Sequence, residues 1–390
     1  MSVQSFQIHT ENEVLEDLRR RLENTRWPSR IAGAGWAYGA DYDYLRRLCD
    51  YWRTGYDWRK WEETLNAWPQ FTAEVDGVVL HFWHIRAKGR ENAFPVLLLH
   101  GWPGSAFEFF GMIDRLTDPA AHGGRAEDAL DLVLPDLPGY GWSGKPAEPG
   151  WGADRVARAM NVLMTGELGY PRYGVQGGDW GGMIAARMGT VFPDTVAAIH
   201  LNFTILPIPM IDELSEADME VCRRHQEFDF WEGAYHLVQE TKCDAVSLAQ
   251  TDSPAGLAAW IVEKFRVWSD CGGDLDSEYT MDQLLTNLMF YWVPNSVASA
   301  ARLYYESFHD PELNWGAPDP HIMVPTAVAR FPKDPFHRPR AWMEKHFNLV
   351  RWSEMPRGGH FAALEEPELL SRDMLEFFRG IRQSGSGTAV

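Results

Sequence analysis

The sequence predicts an α/β fold, with a mostly parallel sheet interrupted by a helical insertion. Three observations carry this. Short continuous apolar runs such as "PVLLLH" (Pro95–His100) and "LDLVLP" (Leu130–Pro135) are what strands buried on both faces require. They alternate with helical stretches, as parallel strands need crossovers. That alternation breaks over Leu206–Pro320, an aromatic-rich and mostly helical stretch, before strand-like runs return.

From the N-terminus, Thr10-Glu-Asn-Glu13 has the form of a capping box, followed by Val14, Leu15, Leu18 and Leu22 at helical spacing. Trp27-Pro28 closes that helix, because proline cannot continue it. A second amphipathic segment runs over Asp41–Trp52, with Tyr44, Leu45, Leu48 and Trp52 on one side. The period then shortens to that of strands, and Asp76-Gly77 is the hairpin turn between Phe71–Val75 and Val78–Arg86. Tyr173–Gly178 and Val196–Asn202 extend the series of buried strands, with a helix over Gly181–Phe192 between them. His321–Val328 and Asn348–Met355 complete the strands, a closing helix spans Pro367–Arg382, and the tail "GSGTAV" is expected to fray. The chain therefore divides into an N-terminal helical segment (1–70), a first core part (71–205), a helical lid (206–320) and a second core part (321–390).

Composition narrows the function. At 390 residues the chain can bury a large core, as one big domain with additions or as two domains. A formal charge of −19 disfavours nucleic acid and anionic membrane surfaces as partners. No signal-peptide pattern and no long apolar run is present, so the expectation is a soluble cytoplasmic protein. The four cysteines have no C-x-x-C spacing and read as reduced packing residues. Tryptophan is frequent, with 18 in the chain, which suits core packing and an aromatic-walled cavity.

The chemistry concentrates in "GGDWG". Asp179 stands in G-x-Nuc-x-G, after a predicted strand and before a predicted helix, the setting of a nucleophile elbow. An aspartate there also fits a plain helix N-cap, so its partners decide. Nucleophile, acid and histidine follow one another in this architecture. Asp334 in "FPKD" follows one late strand, and His360 in "RGGHFAA" follows the last, which places Asp179, Asp334 and His360 in that order at strand ends. "HGWPGS", after Pro95–His100, supplies the other half of an oxyanion hole, made of the Trp102 and Trp180 backbone N–H groups. His100 is expected to hold the turn, and "DLPGYGWS" (Asp136–Ser143) to form a pocket-edge loop without chemistry.

These residues resemble the microsomal-type epoxide hydrolases of the α/β-hydrolase fold. The likeness spans nearly the whole chain, through "FQIHTENEVLEDLRRRLENTRWP", "HGWPGS", "GGDWGG", "DSPAGLAAWIVEKF", "LLTNLMFYW" and "RGGHFAALEEPELL". It implies that residues 1–70 wrap the core. Microsomal members carry an N-terminal membrane anchor, whereas this sequence starts at the wrapping segment and is similar to soluble bacterial members. The resemblance assigns the nucleophile to Asp179, the base to His360 and its orienting acid to Asp334. It adds two lid tyrosines as proton donors, Tyr235 and then Tyr304 or its neighbour Tyr305, with Tyr304 in the better register. A homodimer is a further family-based expectation.

The residue types suit this chemistry. A saturated epoxide carbon calls for a nucleophile already ionised at neutral pH, and a carboxylate is one. Charge developing on the epoxide oxygen calls for donors, and phenols can supply them. Epoxide and water are the expected reactants, with no metal or organic cofactor. The aromatic lid leans towards bulky or aryl epoxides met in detoxification, aromatic catabolism or secondary metabolism. A haloalkane dehalogenase shares the aspartate elbow but needs halide-binding side chains, of which Trp180 could be one. Halide release without diol formation from an epoxide distinguishes it. A non-catalytic small-molecule binding protein is the remaining alternative, against which the complete catalytic set argues.

Overall fold

The computed structural model describes residues 3–203, 214–311, 313 and 321–385. Strand β1 (Gln4–Phe6) opens the chain, followed by helices α1 (Asn12–Glu23), α2 (Tyr42–Thr54) and α3 (Trp58–Asn66). The expected capping box is not formed. Helix α1 starts at Asn12 with no side-chain cap. Thr10 is buried and committed elsewhere: its hydroxyl accepts from Trp58 Nε1 at 2.8 Å and its N–H donates to Glu62 at 2.6 Å. Tertiary partners on α3 have taken the group that local sequence assigned to the helix end. Neither β1 nor α3 was read from the sequence.

Strands β2 (Gln70–Val75) and β3 (Val78–Ile85) form the expected hairpin, with Asp76 and Gly77 both at positive φ in the turn. After them come β4 (Phe94–Leu99), the short helix α4 (Ile113–Thr117), β5 (Leu130–Pro135), α5 (Ala153–Val162), β6 (Tyr173–Gly177), α6 (Asp179–Val191) and β7 (Val196–Leu201). Every residue of β5, β6 and β7 is buried, the reason these segments read as unbroken apolar runs.

Five helices stand between β7 and the next strand among the described residues: α7 (Glu216–Glu232), α8 (Ala234–Asp252), α9 (Pro254–Trp268), α10 (Met281–Trp292) and α11 (Val297–Phe308). The expected lid limits, residues 206 and 320, and most of the tail lie outside the described residues. The chain closes with β8 (Ile322–Arg330), α12 (Arg340–His346), β9 (Phe347–Glu354), α13 (Ala362–Glu365) and α14 (Pro367–Gly385).

The nine strands form one sheet in the order β1-β2-β3-β5-β4-β6-β7-β8-β9. β1, β2 and β3 run antiparallel to their neighbours, and all pairs from β5 to β9 are parallel. The mostly parallel α/β sheet is as the sequence predicts. Its consequence for function is geometric: parallel strands end on one side, so the loops after β4, β6, β8 and β9 meet there.

Candidate active site

Strand β6 delivers Asp179 at the first position of α6 with φ +51°, a left-handed conformation unusual for a side chain other than glycine. The turn is this tight because its glycines permit it. A Cβ on Gly177 would run into the Gly181 backbone, and one on Gly181 into the Leu99 carbonyl. That steric fact is the content of G-x-D-x-G.

The loop after β4 comes to the same point. The Trp102 N–H donates to Asp179 Oδ1 at 2.8 Å. His100 sits beneath, accepting the Leu137 N–H at Nε2 (3.2 Å), so it ties this loop to the one after β5. Asp136 is likewise structural: it accepts from His81 Nδ1 (2.8 Å) and from the Trp142 N–H (2.9 Å).

Across the other carboxylate oxygen lies His360, its Nε2 3.5 Å from Asp179 Oδ2 and its Nδ1 3.3 Å from Asp334 Oδ2. Asp334 spends its second oxygen on the Phe336 N–H at 2.9 Å. All three side chains are buried. Burial works against a charge on His360, but the carboxylates of Asp334 and Asp179 outweigh it and raise its pKa to about 10. Asp334 is the mirror case, where burial is overcome by the adjacent imidazolium and the carboxyl is held below its ordinary range.

Helices α8 and α11 pack side by side and bring Tyr235 and Tyr304 together, with ring centroids 6.2 Å apart. Tyr235 stacks on Trp102 at 5.1 Å, and Tyr304 meets Trp180 edge-on at 4.7 Å. Burial, then the Asp179 charge, raises the pKa of Tyr235, while for Tyr304 the neighbouring Tyr235 adds to burial ahead of Asp179. Tyr305 points elsewhere: it is 39% exposed, against 3% for Tyr304, and stacks on His309. Of the two, Tyr304 is the ring packed beside Tyr235 and Trp180.

Several supporting residues escaped the sequence reading. Asn287 and Tyr291, one turn apart on α10, hold the loop after β4: Asn287 Nδ2 donates to the Pro103 carbonyl (2.8 Å) and the Tyr291 hydroxyl to the Gly104 carbonyl (2.6 Å). Two polar groups at i, i+4 inside the apolar run "LLTNLMFYW" were the available signal. Glu365 pins the His360 loop by accepting from the N–H groups of Gly359 (2.8 Å), Phe361 (2.9 Å) and Asp270 (2.8 Å). Glu108 lines the cavity beside Asp179 and His360.

Comparison with known proteins gives this geometry a context. Residues 3–109 match the epoxide hydrolase N terminus, and residues 95–367 match the alpha/beta hydrolase fold. A Stigmatella aurantiaca protein assigned to the epoxide hydrolases is 42% identical over 97% of this chain and 85% of its own length. The chain belongs to the epoxide hydrolase family. Epoxide hydrolase 1 of Oryctolagus cuniculus is 35% identical over 96% of this chain and 88% of its own. The juvenile hormone epoxide hydrolase of the silkworm Bombyx mori superposes with a TM-score of 0.89 at 32% identity, covering 98% of this chain and 96% of that one. Like these epoxide hydrolases, the chain is an enzyme of the α/β-hydrolase fold acting on small-molecule epoxides with water. Among the described residues no helix is long and apolar enough to cross a membrane, and no cluster of acidic, histidine and cysteine side chains could hold a metal ion.

Proposed function

We propose that this epoxide hydrolase opens its substrate to a vicinal diol through an alkyl ester on Asp179. The observation that carries the reading is the division of Asp179's two oxygens. Oδ1 is held by the Trp102 N–H, and Oδ2 faces His360. Attack on a saturated carbon by the ionised carboxylate gives the ester, while Tyr235 and Tyr304 donate to the opening oxygen.

The charges explain the change of role at His360. With Asp179 ionised, its raised pKa keeps the imidazole protonated at neutral pH. Alkylation turns Asp179 into a neutral ester and removes one of the two carboxylates supporting that proton. The site thus loses one proton as the substrate oxygen gains one through the phenols. His360, now neutral and oriented by Asp334, is free to take a proton from water. Water adds to the ester carbonyl, whose oxyanion faces the N–H groups of Trp102 and Trp180. Collapse releases the diol and restores the Asp179 carboxylate and the imidazolium. The aromatic wall of Trp102, Tyr235, Trp268 and Tyr304 supports a bulky or aryl epoxide.

His360→Gln should still form the ester and then stall. Intact mass after mixing with styrene oxide is expected to show protein plus one substrate mass, with turnover reduced at least about a hundredfold. Full turnover by that variant, or no adduct, overturns the mechanism.

A further inference from the structure

Glu108 is a polar group in the catalytic cavity that the steps above leave without a task. It stands on the 3-10 helix Ala106–Met112 that follows the loop after β4, and it lines a small space together with Asp179, His360, Gly104 and Asn202. That space offers about 20 Å³ to the centre of a water molecule, enough for one. The side chain reaches it because residue 104 is glycine: a Cβ at Gly104 would overlap the Glu108 carboxylate. The loop is built so that this carboxyl occupies the place of a side chain at 104, and Tyr291 fixes the Gly104 carbonyl from the helical insertion.

We propose that Glu108 and His360 together hold the hydrolytic water, which makes Glu108 a catalytic residue for the second half-reaction. This rests on the ester mechanism above. A water in that space presents one O–H to His360 Nε2 and the other to Glu108, which leaves a lone pair for the ester carbonyl carbon of Asp179. In the step itself the water oxygen bonds to that carbon and His360 takes one proton. The bond from carbon to the alkyl oxygen then breaks, and the second water proton ends on the departing alcohol. Glu108 is neither consumed nor oxidised. Burial, opposed by the His360 charge and aided by Asp179, raises its carboxyl to about 8. A neutral carboxyl still accepts through its carbonyl oxygen, and it adds no second negative charge beside Asp179.

The test separates the two half-reactions in Glu108→Gln, measured with styrene oxide by rapid quench and intact mass. Ester formation should keep its wild-type rate, while ester hydrolysis slows on the order of tenfold to a hundredfold. Then kcat and KM fall together, kcat/KM holds, and alkylated enzyme accumulates in the steady state. Glu108→Asp, which draws the carboxyl back by one methylene, should give the same split at smaller size and covers the case in which the amide fails to fold. Unchanged hydrolysis in a folded variant, or an equal loss in kcat and kcat/KM, overturns the proposal. Failure of the ester mechanism itself looks different, since His360→Gln then yields no adduct.

Discussion

At Asp179 a single residue combines a strained backbone with a buried carboxylate whose Oδ2 faces His360. The positive φ points its carboxylate out of the sheet and into the meeting point of the loops. Neighbours one position apart can have opposite fates on the same principle. Tyr304 and Tyr305 are chemically identical, and only helix phase separates the buried ring from the exposed one. Tyr304→Phe should slow ester formation on the order of a hundredfold, because one donor to the opening oxygen is lost. Tyr305→Phe should change it by no more than the roughly 0.5 kcal/mol of an ordinary surface substitution. Rapid-quench measurement of the two variants side by side checks this, and the reverse order would move the donor to Tyr305. Asp179 and His360 were legible in the sequence because a turn motif and chain order identify them. The tyrosine was not, since an adjacent pair gives no local cue to which ring faces inward.

Helices behave in the same way. The insertion does not rest loosely on the sheet: Asn287 and Tyr291 of α10 hold the loop carrying Trp102, and the Trp268 carbonyl at the end of α9 accepts the His360 N–H at 2.9 Å. One further joint inside the insertion should respond to pH. His236 on α8 bonds Asp229 of α7 at 2.8 Å and Glu240 at 2.7 Å. Burial disfavours its charge, but the two carboxylates prevail and raise its pKa to about 9. A raised folded-state pKa means stabilisation that is complete below the ordinary value of about 6.5 and lost as pH rises through about 9. Hydrogen exchange corrected for its intrinsic pH dependence should therefore show protection of α7 and α8 falling over that window. His236→Gln should remove the trend, and a wild type with flat protection would count against it. Long amphipathic helices such as α2 were read correctly from periodicity. The capping box at Thr10 failed because a hydroxyl that can cap a helix can equally accept from Trp58, and burial favoured the second.

For the molecule as a whole, buried charge ties the closing helix to the sheet. Asp373 on α14 bonds His200 of β7 (2.9 Å), Arg351 (2.6 Å) and Ser353 (2.6 Å) of β9. Burial would raise its pKa, but these partners hold the carboxyl far below its ordinary range. The sign is opposite to that of His236: this stabilisation is present above about pH 4 and fades as pH falls. Asp373→Asn should destabilise the fold by about 2 kcal/mol at neutral pH, since it replaces the charged acceptor shared by the Arg351, Ser353 and His200 hydrogen bonds with a neutral amide. Urea unfolding measures this, and the gap from wild type should close as pH falls below about 4. A pH-independent gap would mean lost packing, not lost charge.

The sequence by itself determined the α/β class, the mostly parallel sheet, the glycine-lined turn at Asp179 and the order of Asp179, Asp334 and His360 at strand ends. Those features are encoded locally, in apolar runs buried on both faces, in glycines a tight turn requires, and in which strand end each residue follows. The tertiary structure alone decided which tyrosine ring is buried beside Asp179, where Thr10 places its hydroxyl, and that Asn287, Tyr291, Glu365 and Glu108 lie against the loops carrying Trp102 and His360. Those residues act across 180 positions or more in some cases, as Tyr291 does on Gly104. Their meaning lies in a partner that no spacing or periodicity in the chain can name.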